Sequence, residues 1–209
     1  MPAPKPLDKG QVPEELHGIY AKLDEKFGRV PNLFAVMANC SHGLETFFPF
    51  FARIMHEGKV DLRYKELAYL KASYVNGCEY CVAAHRPMAI DAGVTPKQIR
   101  SLQFYKEAEA FDEKERVTIW FADVLTRGAV MASEAVLEEL SVHYVPDEIV
   151  ELALVIGAAN MTNMFSTGLL IEPDLGTRPG SKVAASENLP AGEPASVLEK
   201  KDPALGARV

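Results

Sequence analysis

The sequence predicts an all-α fold, and three features carry the prediction. Apolar residues recur at helical spacing in segments of helix length, punctuated by proline, glycine and capping residues. No alternating apolar and polar run of useful length suggests a strand. The 209 residues, 48% hydrophobic and 24% charged, suffice for one sizeable core but hardly for two large domains. The expected organisation is an extended arm over residues 1–11, one helical domain over 12–171, and a low-complexity tail over 172–209.

Each element has its own signal. The arm is broken by Pro2, Pro4 and Pro6. Pro13, Glu14 and Glu15 read as a helix start, followed by an apolar stripe of Leu16, Ile19, Tyr20, Leu23 and Phe27 and a stop at Gly28. Pro31 and Asn32 open a short segment that ends near Cys40 to Gly43. A third helix, over 44–57, carries Phe47, Phe48, Phe50 and Phe51 around most of its circumference, which suits core or a subunit interface. Its Pro49 is expected to kink it or mark its first turn. Two helices then meet at Asn76 and Gly77, residues that tolerate positive φ and so end one helix before the next begins. The second should bend at Pro87 and stop at Gly93. Thr95, Pro96 and Gln98 form a capping-box pattern that starts another helix. Longer amphipathic stretches cover 113–126 and 149–170, with a short helix through Val136, Leu137 and Leu140 between them. From Glu172 onward proline, glycine, alanine and charge dominate, so this tail is expected to be disordered or to order against another subunit. No internal repeat is apparent.

The chemistry-bearing residues gather at the Asn76–Gly77 break. On the helix after it, Cys78, Cys81 and His85 stand at i, i+3 and i+7, within an arc of roughly 60°. On the helix before it, Leu62, Glu66, Leu70 and Ser73 make a stripe in which a carboxylate replaces an apolar side chain. Such a carboxylate needs a partner or a raised pKa. Cys78 should occupy the first helical turn, where unpaired N–H groups and the helix dipole favour a thiolate. His85 lies one turn beyond Cys81, within reach as a proton partner. A dithiol, a base and a buried acid suggest redox work. Tyr74 and Tyr80 flank the cysteines and could line a pocket or simply pack in the core.

Glu66, then eleven residues, Cys78-x-x-Cys81, three residues and His85, together with Gly28 to Phe34, Thr95-Pro96 and Glu148 to Asn160, resemble the AhpD-like alkylhydroperoxidases. These belong to the carboxymuconolactone decarboxylase superfamily, and the likeness is strongest to its peroxidase-related group. The resemblance implies an all-helical fold assembled into trimers or hexamers. It also implies a thiol peroxidase that needs neither haem nor metal. By that likeness Cys81 attacks the peroxide, Cys78 resolves it, His85 is the base, and Glu66 is the far end of the relay. Recycling would fall to a dithiol, either a lipoyl group or a thioredoxin-like protein. Close relatives of the characterised alkylhydroperoxidase carry a second histidine between the cysteines, where this chain has Tyr80.

Other readings of the same residues are a zinc site built from Glu66, Cys78, Cys81 and His85, or a buried structural pair. A thioredoxin-like dithiol lacks its βαβ context. A decarboxylase or lactone-processing enzyme shares the fold, and a redox-responsive or zinc-binding scaffold is the non-enzymatic alternative. Cys40 is expected to be a small core hydrophobe, and His17, His42, His56 and His143 to be surface or structural. Asn160 and Asn163, polar within an apolar run, could satisfy a neighbouring helix end or reach the site. The net charge of -7 without a basic cluster argues against nucleic acid or an anionic membrane as partner. The first residues offer no apolar leader, and no uninterrupted apolar run approaches the ~18 residues of a membrane span. The expected setting is the cytoplasm, where a CxxC is more often catalytic than a staple.

Overall fold

The computed structural model describes residues 3–128 and 134–174, and among them nine α-helices, two 3-10 turns and no strand occur. The chain enters through a 3-10 turn at Glu14–Leu16 and continues as α1 (His17–Phe27), which stops at Gly28 with φ of 71°. Then follow α2 (Asn32–Met37) and α3 (Ser41–His56). Pro49 sits inside α3, which begins before Leu44, so the proline marks no first turn.

The centre of the molecule is α4 (Leu62–Val75), which packs against α5 (Glu79–Asp91), α7 (Glu113–Gly128) and α9 (Pro146–Gly168). Its neighbours leave it no solvent face from Lys65 to Ser73. The expected stripe of Leu62, Glu66, Leu70 and Ser73 is therefore too narrow a description. Its two lysines are buried in ion pairs, Lys65 with Glu151 at 2.5 Å and Lys71 with Asp123 at 3.1 Å. Burial lowers the pKa of Lys71, and the Asp123 carboxylate opposes that fall.

Around α4 the core divides into three clusters. One joins α1, α2 and α3 to Tyr69, Cys78, Tyr80 and Cys81. A second lies between α7, α8 (Glu134–His143) and α9, and a third lies under α5 and α6 (Pro96–Ser101). The capping box at Thr95 is formed, with the Gln98 N–H donating to Thr95 Oγ1 at 3.2 Å. Gln98 also donates to Glu115, which accepts from Arg63, so one buried polar group joins α4, α6 and α7.

Among the described residues α9 is the one helix long and apolar enough to cross a membrane. It serves instead as a core helix, with Leu152, Val155, Ile156 and Ala159 buried. The arm lies along α1 and α2: Leu7 donates its N–H to the Ala35 carbonyl at 3.0 Å and its own carbonyl accepts from the Tyr20 hydroxyl at 2.9 Å. Of the expected tail, 172–174 pack on α2, where Asn32 donates to Asp174 at 2.9 Å and to the Glu172 carbonyl at 3.1 Å. The remainder, 175–209, lies outside the described residues. Cys40 is exposed, with its sulfur 3.5 Å from His42 Nε2, so it is no core hydrophobe. It falls after the buried run of α2, where the chain turns back toward solvent.

Candidate active site

The break between α4 and α5 is made by Gly77 alone: its φ is +64°, while Asn76 stays right-handed at -80°. An added Cβ at Gly77 would meet open space, so only the backbone resists substitution. Gly77→Ala is expected to cost about 1–2 kcal/mol in thermal or urea denaturation, the penalty of holding an L-residue in the left-handed region. The sharp turn makes Cys78 the N-cap of α5, one residue earlier than the first turn itself.

All four motif residues are buried. Cys78 Sγ lies 2.7 Å from Cys81 Sγ and accepts the Cys81 N–H at 3.3 Å. Its hydrogen bond with the Cys81 thiol, helped by that N–H and by the Ser166 and Thr167 hydroxyls, outweighs burial and brings the Cys78 thiol down to about 7. The same contact and burial push Cys81 up. One sulfur is thus poised to ionise, and the other holds its proton.

Glu66 and His85 meet across the α4/α5 interface at 2.9 Å between Oε2 and Nδ1. An ionised carboxylate only accepts, so it fixes the proton on Nδ1 and leaves Nε2 as the basic nitrogen. Glu66 Oε1 has no hydrogen-bond partner among the described residues, a costly condition for a fully buried oxygen. Tyr69 stacks on the imidazole with ring centroids 3.6 Å apart, and Phe51 meets it edge-on at 6.4 Å. The Tyr69 hydroxyl is hydrogen-bonded to Thr162, so α9 holds the ring that holds the histidine. Sequence reasoning missed Tyr69 and Thr162, although both fall in helices it placed.

Asn160 and Asn163 serve both of the roles considered for them. The Asn76 amide donates to the Asn160 and Asn163 carbonyl oxygens at 2.7 and 2.9 Å, and Asn163 donates to Ser73 Oγ at 3.1 Å. This chain fastens the α4 terminus to α9, and Asn163 also favours the charged form of Cys81. Beside it Asn76, Asn163, Met164, Thr167 and Gly168 line a cleft of about 300 Å³.

The two tyrosines part company. Tyr80 is buried with the cysteines, and its hydroxyl donates to Asp174 at 2.7 Å while accepting the Leu33 N–H at 3.1 Å. Burial, and then the Asp174 carboxylate, push its pKa upward, so it is no base near neutrality. Tyr80→Phe would leave both partners without the hydroxyl and is expected to cost about 1–3 kcal/mol in chemical denaturation. Tyr74 packs instead against the third cluster, and its hydroxyl accepts from Arg86. No group of three His, Cys, Asp or Glu side chains among the described residues is placed to hold a metal ion, which leaves the zinc reading without a ligand set.

The fold and site define an all-helical protein with a buried dithiol beside a histidine–carboxylate pair. A model of the carboxymuconolactone decarboxylase family matches residues 43–123. The uncharacterized protein YdfG of Bacillus subtilis (strain 168) is 27% identical over 109 residues, 50% of this chain and 72% of that one. The crystal structure of an uncharacterized peroxidase-related protein from Silicibacter sp. TM1040 is similar at TM-score 0.72 and 28% identity, covering 82% of this chain and 92% of that one. An alkylhydroperoxidase AhpD core structure, a peroxidase-related protein from Ralstonia eutropha JMP134, has the same fold at TM-score 0.74 and 20% identity, covering 82% and 92%. Over residues 43–123 the chain thus resembles the carboxymuconolactone decarboxylase family, and it shares its all-helical fold with these peroxidase-related structures.

Proposed function

We propose that this protein is a thiol-dependent peroxidase that reduces hydrogen peroxide or small organic hydroperoxides through Cys78 and Cys81, with His85 and Glu66 as its proton relay. The observation that carries the reading is the buried 2.9 Å Glu66–His85 contact one helical turn from a dithiol whose sulfurs are 2.7 Å apart. A thiolate attacks one peroxide oxygen and the O–O bond breaks heterolytically. The sulfur is oxidised to a sulfenic acid, and the alkoxide leaves as alcohol after taking a proton. The second thiol displaces hydroxide from the sulfenic acid, giving a disulfide and water before over-oxidation can occur. An external dithiol, a lipoyl group or a thioredoxin-like protein, then returns both sulfurs to thiols.

The same reading places the protein in the cytoplasm as a homotrimer or homohexamer, with no nucleic acid or membrane as partner. Exposed Val150, Leu154 and Met161 lie along one side of α9 and would suit a subunit contact. Tyr80, bound to Asp174, stands as a structural lock where a second histidine would otherwise serve. The test is consumption of cumene hydroperoxide with a dithiol reductant, which prior alkylation of the thiols should abolish. Turnover of a lactone or carboxylic acid that survives alkylation would favour the decarboxylase reading. Bound zinc together with inert thiols would favour a scaffold.

A further inference from the structure

Two side chains of α4, Glu66 and Tyr69, hold the His85 ring from different sides. Spaced i and i+3, they share one face of the helix. Glu66 takes the edge, with Oε2 2.9 Å from Nδ1, and a single hydrogen bond leaves the ring free to swing about its line. Tyr69 takes the face: the two rings lie 16° from parallel with centroids 3.6 Å apart. Phe51, from α3, stands at right angles to the imidazole. The Tyr69 ring is itself fixed. Thr162 Oγ1 gives its proton to the Ala158 and Ala159 carbonyls, at 3.0 and 2.9 Å, so it accepts from the Tyr69 hydroxyl.

The degree of overlap carries the meaning of this stack. Carbon faces in contact already stand ~3.5 Å apart, so a centroid separation of 3.6 Å leaves almost no sideways offset. Two neutral rings avoid that alignment, because their negative faces repel, and settle offset or edge-on at about 4.5–7 Å. Protonation of the imidazole reverses the preference, since the tyrosine face attracts a cation, most strongly where water is excluded. Here His85 is 5% exposed and Tyr69 is 1% exposed. Among the elements packed against the ring, α4 brings the titratable Glu66 and Tyr69, and α3 brings the uncharged Phe51. The α9 side chains nearest the dithiol, Asn163 and Ser166, carry no charge, and the two thiols lie on the histidine's own helix. Carboxylate and π face therefore favour the same thing, a positive ring.

We propose that Tyr69 is a positioning residue of the peroxidase site: its π face, laid flat on His85 and anchored through Thr162, stabilises the imidazolium through which the reaction passes. This rests on the peroxidase reading. The attacking sulfur gives its proton to His85 Nε2, which leaves a thiolate and an imidazolium. The thiolate takes one peroxide oxygen and becomes a sulfenic acid, and the O–O bond breaks to release an alkoxide. The imidazolium returns the proton to that alkoxide, which departs as alcohol, and the ring is neutral again. Tyr69 touches neither substrate nor sulfur in this sequence and acts only through the charge on the ring it covers.

The test varies the face and keeps the shape. Tyr69 is replaced by phenylalanine and, by site-specific incorporation, by its monofluoro, difluoro and trifluoro analogues, in which fluorine draws electron density from the ring. Reduced protein is mixed with cumene hydroperoxide, and loss of thiols is followed through a single turnover. Tyr69→Phe should stay within ~3-fold of the wild-type rate, and the rate should then fall stepwise to ~10-fold below the phenylalanine form at three fluorines. Equal rates along the series would overturn the proposal, because a ring that only fills space does not respond to fluorine. Should loss of the hydroxyl unsettle the fold, monofluorotyrosine and difluorotyrosine keep the Thr162 bond and should give the same ordering. NMR of the His85 ring supplies a readout that needs no turnover. The pH at which the ring takes up its proton should fall along the same series, and a constant value would contradict the proposal. If wild-type protein leaves peroxide untouched while that pH still falls, the peroxidase reading fails and the hold of Tyr69 on the charged histidine stands.

Discussion

Glu66→Gln is expected to lower peroxide turnover by roughly 10²–10⁴-fold at neutral pH while leaving thermal stability unchanged or slightly raised. The carboxylate only accepts, so it selects the Nδ1–H form of His85 and stabilises the imidazolium that forms when the ring takes a proton. A carboxamide can turn its NH₂ toward Nδ1, which moves the ring proton to Nε2 and removes the base. Stability should not follow activity. Glu66 is 0% exposed, and its Oε1 has no partner among the described residues, so loss of the charge relieves a desolvation penalty as it loses an attraction. Steady-state kinetics beside a melting curve separate the two effects. A parallel fall in both would mean that the pair is chiefly structural.

The second large effect concerns folding. Glu151→Ala should destabilise the protein by about 3–5 kcal/mol in urea or guanidinium unfolding, because it strands a buried ammonium. Lys65 is 1% exposed and reaches Glu151 at 2.5 Å, with the carbonyls of Ile54 and Glu57 as its other acceptors at 2.9 and 2.5 Å. Glu151 also accepts the Lys59 N–H at 3.0 Å, and so closes the loop between α3 and α4. Burial alone would raise the Glu151 pKa, but the Lys65 hydrogen bond and the backbone N–H groups outweigh it and hold the carboxyl below its usual value. A depressed folded-state pKa stabilises the protein above the unfolded carboxyl value of ~4.3 and ceases to do so as pH falls through the folded value. Wild-type stability should therefore decline in acid through this group, and Glu151→Ala should lack that part of the decline. The double variant Lys65→Met/Glu151→Met should recover much of the loss, since no charge is left unpaired.

What was legible in the sequence is what local chemistry decides. The break at Gly77, the stop at Gly28 and the capping box of Thr95 and Gln98 follow from residues close in the chain, and all three are formed. The dithiol, histidine and acid were legible because helical spacing puts them near one break. What remained hidden depends on partners far along the chain. Nothing local in the sequence marks Lys65 and Lys71 as interior, and it is Glu151 and Asp123, distant in the chain, that pair with them there. Nothing near Tyr69 in the chain marks its place between Thr162 and His85, which come from α9 and α5. Asp174 falls at the edge of a stretch whose composition suggests a tail, yet it ties Tyr80 in place. Cys40 misled because free cysteine is usually buried, and here the chain has already left the core.

The pH dependence of the sulfurs offers a further check. With the Cys78 thiol brought to about 7, its alkylation rate should rise with pH and reach half its maximum near neutrality, well below an ordinary cysteine at ~8.5. Cys81, pushed up by the same contact, should stay unreactive across that interval.

The central claim is that the buried dithiol itself reduces the peroxide, and stoichiometric titration of the reduced protein meets it most directly. Cumene hydroperoxide is added without any other reductant, and the remaining thiols and the protein mass are followed together. The account predicts consumption of about one peroxide per chain, disappearance of Cys78 and Cys81 as free thiols, and a mass lower by about 2 Da, the signature of an internal disulfide. Peroxide left intact, or consumed while both thiols still alkylate, would contradict it.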